Sequence, residues 1–224
     1  MTSKNIFPQR LTQIDDLSRP DHYYLSPEDT CYFLGEYTAR QGYAYSATNG
    51  LIINLKKSVD RRGKPEWTHK ERAILQVAAA LRNSINDGWF NNATLIPIPP
   101  SKAKSHPLYD DRLMQVLRAI RPQPPLDIRE LIIQNTSTDA THHSDTRPRP
   151  ETLESLYALD HGLTTPVPQV IGLFDDVLTT GCHFKAAQSL LHKAFPEVHV
   201  IGLFIARRVP EAMDIEDVFG FLDK

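Results

Sequence analysis

The sequence predicts an α/β fold built on a doubly wound, mostly parallel sheet, and three observations carry that expectation. Short apolar runs at 93–98 and 167–174 end abruptly in prolines or carboxylates, as strands buried on both faces do. Amphipathic segments with apolar residues at helical spacing, at 68–85, 110–120 and 183–194, are interleaved with them. Such alternation of strand and helix is the pattern of a parallel sheet covered on both faces.

In chain order, residues 1–25 carry Pro8, Pro20 and many polar groups without periodicity, which suggests an irregular cover over the core. From 26 to 57 the chain reads as a helix capped near Ser26 or Asp29, then an aromatic turn at Tyr43 and Tyr45. The apolar run 50–55 that follows fits helix or strand. Residues 56–70 read as a charged, solvated loop. A long helix with Thr68 as N-cap then buries Ala73, Ile74, Val77, Ala78, Leu81 and Ile85. The run from Ala93 ends in Pro97, Pro99 and Pro100, so a buried strand enters a rigid loop there. Asp110 or Asp111 opens the next helix, and 131–133 reads as a short strand. Residues 136–150 lack an apolar face and form a long exposed loop. A short helix at 150–159 precedes the strand that ends on Asp175 and Asp176. A helix from His183 to Ala194, a strand from Val198 to Ile205 and a last strand at 218–221 complete the expectation.

Composition bounds the function. A chain of 224 residues accommodates one α/β core with an elaboration, divided here as an N-terminal arm and hood at 1–60 and a core at 61–224. With 25 Lys and Arg against 27 Asp and Glu, the formal charge is -2, so no basic field favours nucleic acid. Two cysteines, Cys31 and Cys182, are too few for a zinc ribbon or disulfide framework and suit a reducing compartment. The first ten residues lack a signal-peptide apolar region, and no run approaches the roughly 18 apolar residues of a membrane span. The expected location is cytoplasmic, away from membranes.

The most informative segment runs from Val170 to Phe184: an apolar strand, Asp175 and Asp176, then Thr179, Thr180, Gly181, Cys182 and His183 entering a helix. Ligands of open α/β sheets bind outside the carboxyl ends of the strands, where paired carboxylates can accept hydrogen bonds from a diol or hold a hydrated Mg²⁺. A helix N-terminus with unpaired N–H groups favours a phosphate, and a glycine allows close approach. Asp-Asp alone is equally a turn with an N-cap; the complete strand, carboxylate, Thr-Thr-Gly and helix pattern is far more specific.

That pattern resembles the ribose-phosphate-binding signature of type I phosphoribosyltransferases. The resemblance implies their fold, with Asp175 and Asp176 as the catalytic carboxylates that orient the ribose and hold Mg²⁺. It implies that Thr179, Thr180, Gly181, Cys182 and His183 cradle the 5-phosphate. Upstream, residues 95–102 with Arg112 are similar to the ComF-like branch, which has a proline-punctuated strand end, a basic loop and a downstream arginine where the family binds pyrophosphate. Ser101 and Lys102 are thereby assigned to pyrophosphate, with Lys104 beside them. The loop 136–150 falls where the family has a flexible catalytic loop, so Arg147 and Arg149, with His142 and His143, would bring charge to the leaving group. Two departures stand out: His183 replaces the usual Thr or Ser, and the ComF-like four-cysteine zinc finger has no counterpart.

The resemblance implies binding of 5-phosphoribosyl 1-diphosphate with Mg²⁺ and transfer of the phosphoribosyl group to a nucleobase or other nitrogen acceptor, releasing pyrophosphate. An alternative is a non-catalytic regulator that senses ribose phosphates or nucleotides with the same pocket. A second copy of the chain or a regulatory protein would then be the partner. A DNA-associated role rests on the ComF likeness alone, and the balanced charge argues against it.

Overall fold

The computed structural model describes residues 6–134 and 148–210. Arg147, His142 and His143 and the expected strand at 218–221 lie outside the described residues.

The elements in order are β1 (Thr12–Gln13), β2 (Cys31–Thr38), α1 (Ala47–Leu55), α2 (Trp67–Ser84), α3 (Asp87–Asn92), β3 (Ala93–Pro97), α4 (Arg112–Ile120), β4 (Asp127–Ile128), β5 (Ile132–Gln134), α5 (Pro150–Glu154), β6 (Tyr157–Leu159), β7 (Val170–Leu178), α6 (Cys182–Ala194) and β8 (His199–Val209). Among the described residues six strands form one sheet in the order β1-β2-β8-β7-β3-β4. All its pairings are parallel except that of β1 with β2. Strands β5 and β6 form a separate antiparallel ribbon.

Both faces of the sheet are buried, which is why its strands read as continuous apolar runs. Leu95, Phe174, Leu203 and Ile205 pack with α1, α2 and α4 on one side. Ile96, Leu173, Val200 and Phe204 pack with α5, α6 and the ribbon on the other. The alternation Leu95/Ile96, Leu173/Phe174 and Leu203/Phe204 is the period of two that sends successive side chains to opposite faces. Gly172 lets β7 sit this close to its neighbours: a Cβ there would stand 2.8 Å from both Leu95 and Trp89.

Local chemistry fixes the helix starts. Ser46 accepts from the Asn49 N–H at α1, and Asn86 accepts from the Trp89 N–H at α3, satisfying donors that a helix leaves unpaired.

Several expectations need correction. The helix expected from Ser26 is the strand β2, which enters the central sheet beside β8; a short apolar run takes the conformation its partners offer, and β8 supplies a parallel edge. Both β1 and β2, within residues 1–60, belong to that sheet. The run 50–55, whose pattern fits helix or strand, is helical. The expected loop 56–70 includes the start of α2, which begins at Trp67 without a side-chain cap from Thr68. Residues 131–133 lead into the small ribbon, not the sheet. Only 150–154 of the segment 150–159 is helical, because 157–159 pairs with β5. Strand β7 runs through Asp175 and Asp176 to Leu178, since β8 continues to pair with it up to Arg207.

Candidate functional site

Strands β3 and β7 lie side by side and parallel, with Pro97 opposite Phe174, so the loops leaving their carboxyl ends share one end of the sheet. The Ile98 N–H donates to the Phe174 carbonyl at 2.8 Å, which holds Pro99 and Pro100 beside Asp175 and Asp176. This brings together the two groups expected from the sequence to meet ribose and pyrophosphate.

The two carboxylates have different surroundings. Asp176 is buried and meets Lys56 Nζ at 2.9 Å, while Arg112 reaches it through Nε at 3.1 Å and Nη2 at 2.5 Å. These cations hold its carboxyl well below the usual carboxylate range despite burial. Asp175 is half-buried and beside Asp176; burial and that neighbouring negative charge push its carboxyl up. Burial, and after it the Asp175 charge, opposes ionisation of Tyr157.

Behind Asp176 the ion pairs continue inward. Arg112 Nη1 contacts Asp110 at 3.1 Å, and Asp110 also takes Lys70 Nζ at 2.6 Å. Lys70 is fully buried, donates to the Lys57 carbonyl at 2.7 Å and lies over the Trp67 ring. The chain Lys70, Asp110, Arg112, Asp176, Lys56 thus ties α2, α4, β7 and the end of α1 into one network. Lys70 sits three and four residues before Ala73 and Ile74 on the buried stripe of α2. A lysine within an apolar stripe is the sequence signal for such a buried partner.

The turn into α6 has the expected geometry for close approach. Gly181 has φ +86°, a left-handed conformation at the N-cap that a Cβ disfavours. Thr179 is exposed and Thr180 half-buried. Cys182 is buried and donates its thiol to the Pro148 carbonyl at 3.0 Å; burial pushes that thiol up to about 11, so it is no nucleophile. His183 lies 2.8 Å from the Tyr157 hydroxyl through Nδ1, and burial pulls its imidazole below the ordinary value. The Tyr157 hydroxyl of β6 thus holds the His183 ring in the first turn of α6.

The ribbon connects the two loops. Tyr157 of β6 holds His183, while Gln134 of β5, in register with Tyr157, donates to the Ser101 carbonyl at 2.9 Å. Ser101 is exposed and Lys102 half-buried, and Lys102 lines a small cavity of about 30 Å³ with Tyr109, Arg112 and Glu130, enough for one water. Lys104 pairs with Glu130 at 3.0 Å. Arg149 is exposed at the N-cap of α5, next to the Pro148 that Cys182 contacts.

Among the described residues no three His, Cys, Asp or Glu side chains cluster as a metal site. The donor set suits an ion that arrives with a phosphate, because Mg²⁺ keeps several waters and commonly takes one or two carboxylates plus phosphate oxygens. Asp175 fits that role; at Asp176 an ion would compete with Lys56 and Arg112.

The N-terminal segment supplies residues to which the sequence alone assigns no role. His22 is fully buried and its Nδ1 meets the Thr179 carbonyl, while the Tyr24 N–H donates to the Thr180 carbonyl at 3.0 Å. No helix among the described residues is long and apolar enough to cross a membrane. Neither a protein-family model nor a curated protein sequence matches the chain.

Proposed function

We propose that the chain has a type I phosphoribosyltransferase fold and binds 5-phosphoribosyl 1-diphosphate, transferring its phosphoribosyl group to a nitrogen acceptor. The observation that carries this reading is the left-handed Gly181 turn, which opens α6 at the carboxyl end of the central strand β7, beside the proline-ended β3. Cytoplasmic location belongs to the same proposal.

In the reaction, the bond from C1 of the ribose to the diphosphate oxygen breaks and a bond from C1 to nitrogen forms. No protein nucleophile is needed; positioning and electrostatic stabilisation of the departing diphosphate supply the catalysis. The N–H groups of the first turn of α6, with the Thr179 and Thr180 hydroxyls, bind the 5-phosphate. Asp175 accepts hydrogen bonds from the ribose hydroxyls, and Asp176 fixes Arg112 and Lys56 at the rim. The loop with Ser101 and Lys102 receives the diphosphate, with Arg149 at the edge. Asp175 would be the residue to hold Mg²⁺, whose positive charge would offset the charge developing on the leaving group.

One observation favours the second reading, a ligand-sensing regulator without turnover: Asp176 is already committed to two cations, which suits binding better than a carboxylate that must change partners during a reaction. Calorimetry with 5-phosphoribosyl 1-diphosphate and ribose 5-phosphate, with and without Mg²⁺, together with pyrophosphate release over a panel of nucleobases and amines, tests both. Binding with release supports the transferase, and binding without release under every acceptor supports the sensor. Failure of both ligands to bind removes the ribose-phosphate site.

A further inference from the structure

An anion-binding turn can aim its N–H groups at a ligand only if its carbonyls point elsewhere and find partners there, since buried backbone acceptors are otherwise costly. In this chain the two carbonyls just before Gly181 are both taken by the N-terminal segment. The Thr179 carbonyl receives His22 Nδ1, and the Thr180 carbonyl receives the Tyr24 N–H at 3.0 Å. Leu25 closes under the turn itself: a Cβ on Gly181 would stand 3.0 Å from its Cδ2. The segment is anchored on both sides. Asp21 pairs with Arg207 at 3.1 Å, and Arg207 lies opposite Leu178 across the β7–β8 pairing. Asp29 meets Lys185 Nζ at 2.8 and 2.9 Å and accepts from Gln188 at 3.0 Å, both on α6.

We propose that residues 22–25 form a clamp that sets the conformation of the 179–181 turn, with His22 as a positioning residue that draws the Thr179 carbonyl away from the ligand side. To donate to a carbonyl the ring must carry its proton on Nδ1. Its Nε2 is buried with no partner among the described residues, so the ring is held for the one bond it makes to the turn. A leucine or phenylalanine would fill the same space, but would leave the Thr179 carbonyl without that donor. The proposal rests on the ribose-phosphate reading only for the identity of the ligand; the clamp itself concerns the turn.

Wild type is compared with His22→Phe, which keeps the ring volume and removes the donor, and with His22→Gln, whose side-chain N–H can take its place. Hydrogen exchange is read at the amides of 180–184 and, as reference, in β3. We expect His22→Phe to speed exchange at 180–184 about tenfold with β3 unchanged, to weaken ribose 5-phosphate about tenfold in calorimetry, and His22→Gln to restore both. Unchanged exchange at the turn, or an equal rise throughout the sheet, would overturn the clamp and leave His22 a packing residue. Should His22→Phe not fold, Leu25→Ala loosens the same turn from its other contact: faster exchange confined to 180–184 supports the clamp, and unchanged exchange there overturns it. Failure of the wild type to bind ribose 5-phosphate would remove the ligand assignment, and the exchange pattern would then decide the clamp alone.

Discussion

Asp175 and Asp176 are chemically identical neighbours with opposite electrostatic surroundings, and that difference sets what each substitution does. Asp176→Ala leaves Arg112 with Asp110 alone as its ion partner and Lys56 without its carboxylate. Breaking a buried ion pair from one side costs about 3–5 kcal/mol, so denaturant unfolding should show a loss of that order. Asp175→Asn should instead cause no loss of stability near neutrality, and should lower ribose 5-phosphate affinity by about 1.5–3 kcal/mol, the worth of charged hydrogen bonds, as read by calorimetry. The pH dependences also differ in sign. The depressed Asp176 contributes stability that is present above the unfolded pKa of about 3.9 and lost as pH falls through its folded value. The raised Asp175 acts in reverse: stability declines as pH rises above about 3.9, until the folded group ionises as well. Melting temperatures from about pH 4 to 7 should therefore decline less steeply with rising pH in Asp175→Asn than in wild type. Both carboxylates are legible as residues at the carboxyl end of a buried strand, from the apolar run that leads into them. Their division of labour is not, because Lys56 and Arg112 are 120 and 64 residues away in the chain and the sequence does not say which of the two aspartates they meet.

At the scale of elements, the turn into α6 and the ribbon that braces it carry the geometry. Gly181→Ala places a Cβ at φ +86° against Leu25. The backbone strain is about 1–2 kcal/mol, so a stability loss of that size should accompany a larger fractional loss of ribose 5-phosphate binding. Tyr157→Phe removes the hydroxyl partner of His183 and leaves a buried ring nitrogen unpaired, for about 1–3 kcal/mol. The NMR titration of His183 in that variant checks whether the ring still stays neutral. Helices α2 and α6 are readable because a 3.6-residue apolar period survives without knowledge of partners. Strand β2 reads as helix in the sequence, since its eight residues gain their hydrogen bonds from β8, more than 160 residues downstream. Strands of three residues, β5 and β6, leave too short a period to read, and their pairing alone makes them a ribbon.

Across the whole molecule, β7 and β8 lie at the centre of the sheet with apolar layers on both faces, whereas β1 and β4 are two-residue edge strands. Native-state hydrogen exchange should find the slowest amides in β7 and β8, opening only with global unfolding, and fast exchange in β1 and β4. The site occupies the end of the most protected strands, so its rigid half is β7 and β3, and its adjustable half is the loops that leave them.

Local sequence suffices for the α/β class, the existence of the long helices, the central buried strands and the turn that bears Thr179, Thr180 and Gly181, because each is written in short-range periodicity or in the conformational demands of one residue type. Only the folded chain reveals that the N-terminal segment meets the carbonyls of that turn, that a small ribbon ties His183 to the loop of Ser101, and that Asp176 belongs to a buried chain of charges reaching Lys70. Each of these is a contact between segments far apart in the chain. Their energy comes from desolvated partners meeting in space, and no local pattern of residues records which partners will meet.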